Sequence, residues 1–359
     1  MNLLEEARLK IDKIDKEMAK LYEQRMDAVK DVITYKIQND LPVYDGSREQ
    51  SILQKNSKYI QNSDYEPYYI NFMKSVMNNS KDFQRSLQAQ DIVAYCGVKG
   101  AFAHMTSEKL FPGNPKMGLS SFEDVFEAVV QKRAQYGVIP FENTNSGLVG
   151  EVLDALNKYP VYIQQTMNLK IEQCLLGLPD ATLKDIECVY SKDQALSQSR
   201  VFLQELGVKT VAYPNTAMAA QFVASEKDIH KAAIGAKENA SLYGLKVLAT
   251  KIEENANNTT KFMVIGLEPP KKGNRFSLCL ITKHEAGSLA KIINVIGLFG
   301  LNMQSIQSRP IKGKPFEYFF YMELDGDLED PNVKRCLNSI NEVCESVKIL
   351  GNYVLKEDE

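Results

Sequence analysis

Residues 3 to 38 run without a proline or a glycine and keep a helical period throughout. Ile11, Met18, Tyr22, Val29 and Val32 recur at spacings of three, four and seven. One stripe of a long helix is therefore apolar and calls for a partner helix along it. Three cations share that seam: Arg8 three before Ile11, Arg25 seven after Met18, and Lys36 four after Val32. A cation on a packing face is costly unless an anion meets it, so the seam reads as an anion site. Snorkelling or pairing with protein carboxylates is the alternative. Arg8 and Arg25 are 17 residues apart, about 25 Å along one helix. A small ligand cannot touch both from one straight helix. The pattern thus predicts an interlocked helical dimer with two equivalent sites, to each of which the second subunit contributes Arg8.

Leu41 to Gly46 breaks the helix, and Ser47-Arg-Glu-Gln50 fits a capping box that restarts it. A third helical run, Tyr65 to about Leu87, carries Ser80 and Gln84 one turn apart. With their order and spacing, Arg8, Arg25, Lys36, Asp45, Arg48, Glu49, Ser80 and Gln84 make this segment resemble the all-helical chorismate mutase family. The resemblance implies an all-α domain over residues 1–88 that rearranges chorismate to prephenate. Arg8, Arg25 and Arg48 would clamp the carboxylates of the dianion. Lys36 and Gln84 would act on the ether oxygen, where negative charge grows. Glu49 and Ser80 would hold the hydroxyl and nearby groups, with Asp45 in support. The local alternative is that Asp45 caps a turn and Glu49 complements a helix N-terminus.

The bulk numbers narrow the class. A chain of 359 residues, 44% hydrophobic and 25% charged, has room for two or three globular domains. A net charge of −3 with mixed signs argues against nucleic acid as a partner. No apolar run approaches a membrane span, and Met1 to Glu6 is no signal peptide. Six scattered cysteines without a CxxC read as reduced core thiols in the cytoplasm, and three scattered histidines give no metal spacing. No cofactor is expected.

Beyond a polar connector near residues 84 to 90, the composition changes to an alternation of strands and helices. Strand candidates are 91–96, 117–119, 137–139, 161–164, 175–178, 187–190, 210–213 and 231–234, with helices near 103–110, 122–131, 194–205, 217–225 and 236–243. Within it, Tyr136 to Ile139 reads as a buried strand that Pro140 ends. A polar loop, Glu142 to Ser146, comes next, and then a helical run from Leu148 to Leu156. A strand opening into a polar loop and a helix N-terminus suits a small anion. Gly97-Val-Lys-Gly100 offers amide donors of the same kind.

Gly97 to His104, Pro140 to Gly147, Ser191 to Gln198 and Asn258 to Phe262 resemble, in order, the motifs of prephenate dehydratase. The resemblance implies a two-lobed α/β domain over residues 91–267, similar to periplasmic binding proteins, with prephenate in the cleft. There Thr260 would be the proton donor for the leaving hydroxyl, with Glu142 as runner-up. Asn143, Thr144, Ser191, Gln198 and Lys261 would hold the substrate. Three positions depart from the family pattern: Lys192 stands where it has His, Lys261 where it has Arg, and Phe141 where it often has Ile. Lysine keeps the charge and loses the bidentate fork.

Residues 267 to 274 form a Pro- and Lys-rich linker, and residues 276 to 354 read as βαββαβ, the ferredoxin-like plan. Gly287-Ser288-Leu289-Ala290 and Gln307-Ser308-Arg309-Pro310 make residues 274–355 resemble an ACT domain, an α+β ferredoxin-like module. The resemblance implies that these two segments bind phenylalanine as a feedback effector between paired domains. The family carries Glu where Gln307 stands. The whole reads as a multidomain cytoplasmic enzyme, a homodimer or tetramer, with chorismate and prephenate as substrates and no nucleic-acid or membrane partner. The rival readings are an amino-acid-responsive regulatory protein with dead sites, and an enzyme with only the mutase active.

Overall fold

The computed structural model describes residues 2–39, 41–88, 92–255, 257–283, 285–311, 313–314 and 316–357. They form two compact units, Met1–Gln90 and Asp91–Glu359.

The first unit is three helices, α1 (Leu3–Gln38), α2 (Gly46–Ser57) and α3 (Glu66–Gln88). The unbroken α1 has acids Glu5 and Glu6 in its first turn and Lys36 in its last, both favourable to the helix dipole. Its C-terminal half packs on α3: Val29 and Ile33 are buried, as are Met73, Val76 and Met77 of α3. Ile11, Ile14, Met18 and Leu21 are exposed. The start of α2 differs from expectation. Asp45, not Ser47, is the N-cap, and its carboxylate accepts the Arg48 N–H at 3.0 Å. That bond, with one from Ser47, holds the Asp45 carboxyl below its usual range.

The second unit opens with β1 (Val93–Cys96), α4 (Phe102–Leu110), β2 (Lys116–Leu119), α5 (Phe122–Val130), β3 (Tyr136–Asn143), β4 (Gly147–Leu148), α6 (Gly150–Lys158) and β5 (Tyr162–Lys170). The chain then crosses to a second lobe: β6 (Cys174–Gly177), β7 (Cys188–Ser191), α7 (Asp193–Gln198), α8 (Arg200–Leu206), β8 (Lys209–Ala212), α9 (Thr216–Glu226), β9 (Lys231–Gly235), α10 (Glu238–Tyr243) and β10 (Lys246–Thr250). It returns through β11 (Thr259–Gly266). Last come β12 (Arg275–Thr282), α11 (Ser288–Leu298), β13 (Met303–Pro310), β14 (Tyr318–Asp325), α12 (Pro331–Val343) and β15 (Cys344–Glu357).

The second lobe is a five-stranded sheet ordered β10-β6-β9-β7-β8. The first lobe and the C-terminal βαββαβ module share one ten-stranded sheet, β13-β14-β12-β15-β5-β11-β3-β1-β2, with β4 on β3. The seam is β15, which pairs antiparallel with β12 and then, from Val354, parallel with β5. Gly351 sits where the strand crosses over, and a Cβ there would stand 2.4 Å from the Ile163 carbonyl oxygen. Only glycine lets the two backbones come that close.

Two local expectations are corrected. Pro140 does not end its strand, since β3 continues to Asn143. Opposite it, β11 pairs Lys261 with Glu142 and Phe262 with Pro140, a register shift that leaves Phe141 over. A bulge of this kind is where a strand tolerates a residue with no N–H. The helix expected over 194–205 is broken at Ser199 into α7 and α8.

Candidate active sites

In the second unit a cavity of about 420 Å³ opens between the two lobes, beside the crossovers. Its first-lobe wall includes Cys96, Gly97, Phe102, Pro140, Asn143, Thr260 and Phe262; its second-lobe wall includes Lys192, Gln198, Asn215 and Thr216. Gln173, on the crossover between the lobes, also lines it. Helix α4 begins at this wall with N-cap Ala101, which makes no side-chain cap, so its first-turn amides are left for other acceptors. Burial pushes the Cys96 thiol up to about 11, so it stays protonated at neutral pH.

One hydrogen-bonded chain runs along the wall. Asn143 Nδ2 donates to Thr260 Oγ1 and to Asn258 Oδ1, both at 2.9 Å. Asn258 Nδ2 donates to Gln198 Oε1 at 3.2 Å, which ties the two lobes. The Asn145 N–H donates to Asn143 Oδ1 at 3.0 Å and so fixes which end of the amide faces Thr260. With one lone pair taken by Asn143, Thr260 acts there as an acceptor and keeps its own O–H for an acceptor in the cavity.

Thr260, Asn143 and Gln198 are thus brought together, whereas Lys261, Glu142, Ser191 and Thr144 do not line the cavity. Lys261 alternates to the opposite face of β11, where its ammonium meets Glu142 at 3.2 Å and Glu323 at 3.4 Å. The runner-up donor Glu142 is engaged there too, and it is not among the residues lining the cavity. Ser191 is fully buried and donates to the Ile234 carbonyl at 2.8 Å. Thr144 is exposed, and its hydroxyl accepts the Thr259 N–H at 3.1 Å. Asn258 and Gln173, both nearly buried, were not singled out from sequence; Gln173 Oε1 has no partner among the described residues. The signal for Asn258 was its place in the same motif as Thr260.

In the first unit, Arg25 and Arg48 line a cavity of about 340 Å³ with Val29, Val32, Lys55 and Met73. Arg25 Nη1 donates to Ser80 Oγ, which in turn donates to the Val76 carbonyl at 2.7 Å. Gln84 is buried and its Oε1 is unpartnered among the described residues. Lys36 Nζ donates to the Val43 carbonyl at 2.7 Å, and Glu49 pairs with Lys81 at 2.9 Å. Asp45 acts as the cap described above. Arg8 lies exposed on the N-terminal half of α1, away from this cavity.

In the C-terminal module, Gly287 is the left-handed N-cap of α11, which begins Ser288-Leu289-Ala290. Gln307, Ser308, Arg309 and Pro310 end β13. Gln307 Nε2 donates to the Ser308 carbonyl at 3.2 Å. Arg309 is committed to the first lobe: its Nε and Nη2 donate to the two carboxylate oxygens of Asp154 at 3.1 and 2.9 Å. A Cβ on Gly150 would stand 2.5 Å from its guanidinium.

Both units match known protein families. The Chorismate mutase type II family matches residues 7–85 and the Prephenate dehydratase family residues 93–270. The bifunctional chorismate mutase/prephenate dehydratase of Aquifex aeolicus is 30% identical, over 98% of this chain and 98% of its own. The chain belongs to the bifunctional chorismate mutase/prephenate dehydratase family. It rearranges chorismate to prephenate and converts prephenate to phenylpyruvate in phenylalanine biosynthesis. Among solved structures, the prephenate dehydratase from Arthrobacter aurescens in complex with L-Phe shares the fold, at 24% identity and TM-score 0.68, over 73% of this chain and 89% of that one. GqqA, described as a novel type of quorum quenching acylase, is 27% identical with TM-score 0.69, over 74% of this chain and 98% of that one. No helix among the described residues is long and apolar enough to cross a membrane.

Proposed function

We propose that prephenate is dehydrated in the interlobe cavity with Thr260 as the proton donor. The observation that carries this reading is the Asn143–Thr260 bond at 2.9 Å, which leaves the hydroxyl proton for the cavity. The ring carboxylate leaves as CO₂ and its bonding pair enters the ring. The ring hydroxyl departs with its own pair and takes up a proton, giving water and phenylpyruvate. Aromatisation drives the step, so the enzyme has to hold the substrate and protonate one oxygen. Asn143, Asn258 and Gln198 hold the substrate and the lobes together. Ser191 and Thr144 shape the loops behind them.

In the first unit we assign Arg25 and Arg48 to the carboxylates of chorismate, and Lys36 and Gln84 to the ether oxygen. Ser80 orients Arg25, while Glu49 and Asp45 support the wall. The fourth cation, Arg8, comes from a second copy of the chain. The exposed apolar stripe of α1, Ile11 to Leu21, supports this, because a helix with such a face is stable when a partner covers it. Mixing and refolding Arg8→Ala with Arg25→Ala protein tests it: hybrid dimers regain one complete site, and no recovery of mutase activity refutes the shared site.

The C-terminal module acts as an ACT domain that binds phenylalanine and restrains the dehydratase, in a homodimeric or tetrameric cytoplasmic enzyme. Its βαββαβ order and the L-Phe bound to the Arthrobacter aurescens protein support this. Besides the β15–β5 pairing, it is joined to the first lobe by the pair Arg309–Asp154 on α6, the helix that comes after the Asn143 loop. Isothermal titration with phenylalanine, repeated on Ser308→Trp, checks the assignment; equal binding by both proteins refutes it.

A further inference from the structure

The interlobe cavity has to accept a dianion, yet Lys192 is the one charged side chain among the described residues that line it. Lys261, the cation expected there, is engaged by Glu142 and Glu323 on the far side of the sheet. Lys192 has no carboxylate within ion-pair distance among the described residues, and it stands exposed at the cavity mouth just before α7. The rest of the wall is neutral: aromatic and aliphatic at Phe102, Phe122, Ile171 and Phe262, polar at Asn143 and Gln173.

We propose that Lys192 is the anchor for one particular carboxylate of prephenate, the side-chain carboxylate that the product retains. The proposal rests on dehydration taking place in this cavity. One cation and two carboxylates leave two pairings, and the chemistry separates them. The ring carboxylate loses its charge as CO₂ departs. A cation beside it would stabilise the ground state more than the transition state and slow the reaction. An apolar wall beside it does the reverse. The side-chain carboxylate keeps its charge from substrate to product, so a cation there binds all three states alike and leaves the barrier unchanged. Lys192 is then a determinant of affinity, while the barrier is governed by Thr260 and the neutral wall. The proposal gives the Lys192 departure from the family's His a role: an ammonium carried on a long, flexible stem that can follow the substrate at the cavity mouth.

The test is steady-state dehydration of prephenate by full-length wild type, Lys192→Met and Lys192→Arg, with phenylpyruvate as product inhibitor. The mutase activity of the same preparations reports their integrity. For Lys192→Met, KM for prephenate and Ki for phenylpyruvate rise together, about tenfold to a hundredfold, as expected for loss of a charge-assisted hydrogen bond. Its kcat stays within about threefold of wild type, and Lys192→Arg recovers most of the affinity. Unchanged KM and Ki in Lys192→Met overturn the proposal. A raised KM with unchanged product Ki overturns it as well, because the cation then holds the carboxylate that leaves. Wild type without phenylpyruvate formation, or Thr260→Val with full activity, would instead refute the assignment of dehydration to this cavity.

Discussion

Replacing Thr260 by valine removes one hydroxyl and keeps the shape of the side chain. Thr260 is 9% exposed, and its oxygen accepts one bond, from Asn143 at 2.9 Å. In the variant Asn143 Nδ2 keeps Asn258 Oδ1 at 2.9 Å and the Thr259 carbonyl at 3.2 Å. The cost to folding is therefore that of one neutral hydrogen bond, about 0.5–1.5 kcal/mol. The cost to catalysis is that of a general acid, about 10²- to 10⁴-fold in kcat, or about 2.7–5.4 kcal/mol at 1.36 kcal/mol per decade. The two effects separate cleanly: a protein of near-normal stability whose dehydration is nearly lost and whose mutase activity, housed in the other unit, is intact. Phenylpyruvate formation at saturating prephenate is the assay, with denaturant unfolding beside it. Thr260→Ser, which retains the O–H, recovers most of the rate. Dehydration by Thr260→Val within about threefold of wild type would refute the proton-donor assignment.

Two further substitutions probe the surroundings. Lys261→Met deprives the buried Glu323 of one of its two cations, leaving Arg275 at 3.0 Å; unfolding should cost about 1–3 kcal/mol less while KM for prephenate barely moves, and a large rise in KM would put Lys261 back in the cavity. Lys348, half-buried on β15, donates to the Leu156, Asn157 and Tyr159 carbonyls at 2.6, 3.1 and 2.7 Å, so it caps the end of α6 from the C-terminal module. Lys348→Met should destabilise the second unit by about 1.5–3 kcal/mol in denaturant unfolding, and an unchanged midpoint would show that water replaces the ammonium at no cost.

What sequence made legible came from periodicity. The unbroken helical stripe of α1 and the βαββαβ order of the C-terminal module depend on local patterns, and both elements lie where those patterns put them. The errors lay where tertiary pairing overrides a local rule. Pro140 reads as a strand end until β11 is seen to shift register opposite it. Ser191 and Thr144 carry the polar groups expected of a binding motif, and backbone partners from distant segments claim them. Lys261 is a different kind of miss. Thr260 and Phe262 face the cavity, and strand alternation alone puts the residue between them on the other face. That the ten-stranded sheet passes through β15 into the C-terminal module had no local signal, because it depends on where one long strand changes partners.

One chain carries out two reactions in series, from chorismate through prephenate to phenylpyruvate. Purified protein supplied with chorismate alone, with prephenate and phenylpyruvate quantified over time, tests this most directly in wild type and Thr260→Val side by side. Wild type should pass chorismate through to phenylpyruvate, and Thr260→Val should consume chorismate at the same rate and accumulate prephenate. Phenylpyruvate formed equally by both proteins, or prephenate as the end product of wild type, would contradict it.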